Sequence, residues 1–343
     1  MRFVLLTWLA TRAAIAAVLY LASPHPLASA GNWDGAWYGS IALHGYQHAS
    51  IGAQRDIAFF PLFPMMAAVL LHAGLRWPLA GILVNNACFL AALFVIYALA
   101  HERWSRQTAR WCVAVAASCP LSLFASVAYH EGVFLLFSAL ALFATLRADR
   151  LRGGIAGALA SATSAMGIAL AGALALDAIV QRRGARAIAC ALLAFAGAGA
   201  FAIFCYARFG DPLSFVHAQH AWRTAGFDGG AWLRIFASLS SWDGLRRNVM
   251  VVVLVPLAAV AVLLQRKALG SLMTSYALLA IALLLFAGEP ISADRNAFTF
   301  VPVLLAYGRA LERVPVAGGA ALAASLALLA YDTAQFANFH WVA

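Results

Sequence analysis

The sequence predicts an all-α, polytopic membrane protein, and three observations carry that expectation. The 343 residues are 64% hydrophobic and only 10% charged, where soluble domains run near roughly a quarter charged. Mean hydropathy is +0.85. Apolar runs follow one another without a polar linker, so residues 1–343 read as a single integral-membrane domain. The net charge of +10 is spread as short basic clusters between those runs, the pattern of cytoplasmic loops. With no extended basic face and no basic tail, nucleic acid is not an expected partner.

A spanning helix needs roughly 17–25 apolar residues. The candidates in order are 3–22, 78–100, 111–129, 132–147, 187–207, 248–265, 271–287, 296–312 and 316–331. The first could be mistaken for a signal peptide, because Arg2 precedes it and Ala28-Ser29-Ala30 follows as a cleavage lookalike. Its length and the internal Arg12 favour a retained helix, with Arg12 snorkelling or paired inside the bundle. The run 59–73 is short and carries Pro61 and Pro64, which fits a helix lying along the interface. The run 155–180 contains a small-polar patch over 161–167 and fits either one long helix or a hairpin of two.

Charge chooses between these options. With 59–73 interfacial and 155–180 a hairpin, nearly every cluster falls inside: Arg103, Arg106 and Arg110, then Arg147, Arg150 and Arg152, then Arg182, Arg183 and Arg186, then Arg266 and Lys267. The outcome is about eleven helices, with the N-terminus inside and the C-terminus outside. The first outer loop then spans 23–77 and a second large one 208–247. Most histidines and acids gather on that outer side, among them Asp34, His130, Glu131, His220, Glu289 and Asp294. Ionisable groups are costly in a membrane, so such a gathering marks a candidate site.

Within it, Gly31-Asn32-Trp33-Asp34-Gly35 places an acid just after a membrane helix, where Asp34 would cap a helix running through Tyr38 and Ile41. A second Trp-Asp-Gly, at Trp242-Asp243-Gly244, shows that the tripeptide alone says little. The five cysteines all lie in apolar runs as small hydrophobes. No histidine pair shares a helix face with an acid, and no second acid stands close to Asp34, so no metal cofactor is expected. No internal repeat or inverted pair of interrupted helices is visible, which weakens a transporter.

The wider pattern carries a resemblance. Trp33-Asp34-x-x-Trp37-Tyr38-x-x-Ile41-Ala42-x-x-Gly45-Tyr46, followed by Ala58-Phe59-Phe60-Pro61-Leu62-Phe63-Pro64, resembles the PIG-V family of mannosyltransferases, which add the second mannose to glycosylphosphatidylinositol. Glu131-Gly132-Val133-Phe134 is similar to that family's Glu-Ser-Leu-Phe helix start. Gly210-Asp211-Pro212 with Ala218-Gln219-x-Ala221-Trp222 resembles its large-loop motif, and Asp294-Arg295 ahead of Phe300-x-Pro302 its arginine helix entry. The closing Trp341-Val342-Ala343 is also similar. Departures are Ser164 where the family commonly has arginine, Asn296 for an aromatic, and Gly132 for serine.

The resemblance implies a GT-C-like bundle that moves mannose, or a related hexose, from a polyprenyl-phosphate-sugar donor with inversion. Transfer would occur on the extracytoplasmic side, to a lipid-linked or surface glycan acceptor. The residues suit that chemistry. Asp34, held among aromatics, is the candidate general base. Arg295 is the candidate phosphate clamp, or else pairs with Asp294 or Glu289. Arg55 is a second cation or an interfacial anchor. Glu131, next to His130, either completes the site or simply favours its helix dipole. Gln219 and His220 would contact sugar hydroxyls or acceptor, or be ordinary loop polarity. Trp33, Trp37 and Tyr38 would stack on sugar or prenyl chain, or form an interfacial belt. The alternatives are a lipid-linked-sugar transporter or flippase, and a non-catalytic partner in a glycosylation complex.

Overall fold

The computed structural model describes residues 1–47, 50–51, 54–221, 229–286 and 292–342. Among these the chain is helical almost throughout, and the strands Ser50–Ile51 and Gln54–Arg55 form one short antiparallel ladder. Three helices, Arg2–Ala22, Leu79–Arg103 and Pro315–Ala337, are long and apolar enough to cross a membrane. Shorter apolar helices accompany them: Glu131–Leu146 packs along Leu79–Arg103, and Met166–Val180 along Ser271–Phe286. Large apolar side chains such as Leu6, Tyr20, Leu264 and Val316 are exposed on the outside. An apolar exterior over apolar helices is consistent with a membrane protein.

Several boundaries differ from expectation, each for an identifiable reason. The expected span 111–129 is α-helical only over Arg106–Ser118, then passes through a 3-10 turn, Pro120–Ala125, into bends as far as His130. Pro120 has no N–H to continue the ladder and holds Cys119 at ψ 135°, outside the helical region. The expected span 187–207 is two helices, Ala185–Leu193 and Ala196–Phe209, bent by 49°. A hydroxyl enters the break: Ser161 Oγ donates to the Ala194 carbonyl at 2.7 Å and accepts the Ala198 N–H at 3.2 Å. Gly197 permits the approach, since a Cβ there would stand 2.0 Å from the Ala158 carbonyl oxygen.

The expected span 296–312 likewise divides into Ala293–Phe298 and Val301–Glu312, because Pro302 opens the second helix. The run 155–180 folds as two packed helices, Arg150–Ser161 and Met166–Val180. The run 59–73 yields only the short helix Leu62–His72, with Met65 and Val69 exposed.

The basic clusters meet at one end of the bundle. Arg103 donates to the carbonyls of Ala268 and Leu269, Arg147 binds Glu102 through two nitrogens, and Arg183 pairs with Asp177 at 2.7 Å. Ser271 reaches the same Asp177, and Glu312 accepts from Ser105 and Thr108. Further along these helices lies the irregular stretch after Ser118. Its backbone is satisfied by side chains, as irregular backbone within an apolar bundle requires. Asn85 donates to the carbonyls of Phe124 and Val127, both at 2.7 Å, and accepts the Gly132 N–H at 2.7 Å. Asn86 donates to Ser126 O at 2.7 Å. From the first helix, Arg12 donates to the same stretch, so it pairs within the bundle.

This packing gives Gly132 a reason. A Cβ there would lie 2.3 Å from the Asn85 carbonyl oxygen and 2.6 Å from its Oδ1. Gly132→Ser is expected to destabilise the protein by roughly 1–3 kcal/mol. A lowered unfolding temperature in detergent would show it.

Candidate functional site

Two helices begin at the site, Asp34–His44 and Glu131–Leu146, and each starts with an acid. Helix N-termini carry partial positive charge, so both carboxylates sit where the backbone favours anions. The guanidinium of Arg295, on the short helix Ala293–Phe298, lies between them. Its Nη2 donates to Asp34 Oδ2 at 2.7 Å, and its Nε stands 3.3 Å from Glu131 Oε1. The ring planes of Phe124 and Tyr129 pack against it, with centroids 5.1 and 5.4 Å away. Burial opposes the arginine's charge, but Asp34 and then Glu131 outweigh it and raise its pKa.

The three members differ in access. The Glu131 side chain is 2% exposed, Arg295 11% and Asp34 19%, so the cluster opens at Asp34. Asp34 Oδ1 and Arg295 Nη1 carry no hydrogen bond among the described residues. A hydroxyl arriving at Asp34 therefore meets an acceptor oxygen beside an oriented cation.

The surroundings fix this geometry. Asp34 is not the helix cap that was expected. Trp33 holds the cap position at φ 57°, no side chain caps the helix, and the Asp34 N–H is donated to Tyr129 Oη at 3.2 Å. Tyr129 in turn donates to the Asn32 carbonyl at 3.0 Å. The left-handed conformation of Trp33 is a strain that neighbours must hold in place. Phe339 stacks on its ring at 4.4 Å and Trp341 meets it edge-on at 5.2 Å. One face of Trp33 is thus occupied by the chain's own C-terminal segment. Trp37 stacks on Phe59 at 5.9 Å, and Tyr38 shares a 2.8 Å hydrogen bond with His130 Nδ1.

The structure brings together Asp34, Glu131, Arg295, His130 and Tyr38, five of the residues singled out from sequence. Arg295 does not pair with Asp294, one of the two acids that were the alternative to a phosphate clamp; its partners are Asp34 and Glu131. Asp294 Oδ1 accepts the Arg295 backbone N–H at 2.8 Å, while burial, eased by that N–H, pushes its carboxyl up to about 6. Glu289 lies outside the described residues, as do the side chains of His220 and of Trp242-Asp243-Gly244. Gln219 is engaged in donating to the Ala58 carbonyl at 3.1 Å. Arg55 is exposed on the two-residue ladder opposite Ser50. Ser164 Oγ accepts the Met166 N–H at the elbow. Among the described residues, no three His, Cys, Asp or Glu side chains gather as metal ligands would.

Sequence inspection missed Tyr129, Phe124, Asn85 and Asn86. The asparagine pair within an apolar run was a readable signal, because polar residues there are expensive. Tyr129 and Phe124 carried none, since aromatics are ordinary in such runs.

His130 makes one pH effect visible. Burial, and then the Arg295 cation, push its imidazole from the ordinary 6.5 down to about 3. Between those values the unfolded chain holds a proton that the folded chain excludes, so the contribution of His130 is full above pH ~6.5 and is lost as pH drops, while Glu131, whose carboxyl burial pushes up to about 7, contributes in the opposite direction. Its close neighbours are Tyr38 Oη and Glu131. His130→Gln is expected to flatten this limb of a plot of Tm against pH.

Fold and site together define an all-helical, membrane-type bundle with two acids flanking one guanidinium, a cluster that opens at Asp34. Comparison of the chain with protein-family models and with curated proteins finds no match in either.

Proposed function

We propose that the protein is a multi-pass GT-C-type glycosyltransferase that moves mannose, or a related hexose, from a polyprenyl-phosphate carrier to a glycan or glycolipid acceptor. The observation that carries this reading is Asp34. It is the most exposed member of the cluster, oriented through Oδ2 by Arg295 and with Oδ1 open. The acceptor hydroxyl oxygen attacks the anomeric carbon from the face opposite the phosphate. The carbon–oxygen bond to phosphate breaks, its electrons leave with the polyprenyl phosphate, and the hydroxyl proton passes to Asp34. The configuration inverts. Arg295 Nη1, which carries no hydrogen bond among the described residues, would donate to the departing phosphate. No metal or organic cofactor enters this scheme.

Topology supports an extracytoplasmic site. The arginine-rich ends of the helices meet on the side away from Asp34, as cytoplasmic ends would. Counting each broken or shortened helix as a crossing retains about eleven passes. A His220→Cys variant in a cysteine-free background is expected to react with a membrane-impermeant maleimide from outside. Labelling only from the cytoplasmic face would break this topology.

The function is tested with purified protein, radiolabelled polyprenyl-phosphate-mannose and a membrane extract as the acceptor source. Labelled glycan and free polyprenyl phosphate are expected together. Donor that binds or crosses the bilayer without releasing phosphate would favour a transporter instead.

A further inference from the structure

We infer that Arg12 is a positioning residue for the Asp34–Arg295–Glu131 cluster, acting through the irregular segment 119–130. This rests on the glycosyl-transfer reading of that cluster. Arg12 lies in the middle of the apolar helix Arg2–Ala22, is 8% exposed, and has no carboxylate partner among the described residues. A guanidinium is costly in such a place, so its contacts are informative. Nη1 donates to the Ser122 carbonyl at 2.9 Å and to Ser126 Oγ at 2.7 Å. Nη2 donates to the Ala117 carbonyl at 2.9 Å and to Ser122 Oγ at 3.0 Å. The guanidinium also lies over the Phe89 ring, 4.8 Å from its centroid. Ala117 belongs to the last turn of Arg106–Ser118, where the helix dipole favours a cation.

The clamped segment delivers the site. It carries Phe124 and Tyr129, which pack against the Arg295 guanidinium, and it leads directly into Glu131. Tyr129 also receives the Asp34 N–H. Arg12 itself touches none of the three charged groups, so its influence runs through this backbone. The planar fork spans Ala117, Ser122 and Ser126 at once, and a lysine ammonium, a point donor, does not.

The test uses the full-length protein reconstituted in liposomes, with kcat and KM for transfer from polyprenyl-phosphate-mannose and hydrogen exchange over 119–130. Arg12→Lys and Arg12→Met are expected to lose roughly 10²-fold in kcat, the scale of a small misplacement of reacting groups, with donor KM unchanged. Exchange over 119–130 rises in both. Ser126→Ala, which removes one of the four contacts, shows a smaller loss in the same direction and carries the test if the Arg12 variants do not fold. Arg12→Lys with wild-type kcat, or a kcat loss without faster exchange over 119–130, overturns this inference alone. A wild-type protein that transfers no sugar overturns the glycosyl-transfer reading and this inference with it.

Discussion

Replacing Arg295 by methionine is expected to destabilise the protein by about 3–5 kcal/mol, the range for removing one partner from a buried ion pair. The guanidinium stands between two acids, and Glu131 is almost wholly enclosed. Burial already pushes the Glu131 carboxyl up to about 7, and without the cation it would take up a proton and stand as an unpaired buried acid facing a second one. The Phe124 and Tyr129 rings would also lose the group they pack against. The loss has a distinguishing signature. Adding Glu131→Gln to Arg295→Met removes the stranded acid, so the double variant should recover much of the stability while remaining inactive. Unfolding temperatures of the three proteins in one detergent check this, and a double variant no more stable than Arg295→Met would contradict it.

Asp34→Asn is expected to act in the opposite manner, sparing the fold and stopping the chemistry. The amide oxygen of asparagine can still accept from Arg295 Nη2, and Arg295 keeps Glu131 as its counter-charge. What disappears is the proton acceptor at the open oxygen. General-base assistance is worth roughly 10²–10⁴-fold, so transfer should fall by that factor while donor binding and unfolding temperature change little. A fall in donor affinity with unchanged turnover would assign Asp34 to binding.

The members of this candidate cluster are legible in the sequence. Tracing arginine clusters through the loops predicts a common face for Asp34, His130, Glu131 and Arg295, and in the fold these four side chains are neighbours. Their pairing was not legible. Arg295 has Asp294 beside it in sequence, yet its side chain reaches Asp34 and Glu131, because helix packing rather than spacing decides which acid a guanidinium meets. Among the helices, the long runs at 3–22 and 78–100 were clear, since continuous apolar sequence is a strong signal. The break at Pro120 could have been read from the residue itself, but the surrounding apolar run outweighed it. The bend between Leu193 and Ala196 could not. It depends on a Ser161 hydroxyl supplied by another helix, and no pattern within the bent segment announces that contact.

The most direct test is release of polyprenyl phosphate from radiolabelled polyprenyl-phosphate-mannose by purified wild-type and Asp34→Asn proteins, side by side, with acceptor present. The wild type should release polyprenyl phosphate in step with labelled glycan, and the variant should bind donor but release it at least roughly 10²-fold more slowly. Release by Asp34→Asn at the wild-type rate, or none by the wild type, would contradict the assignment of Asp34 as the base of a glycosyltransferase.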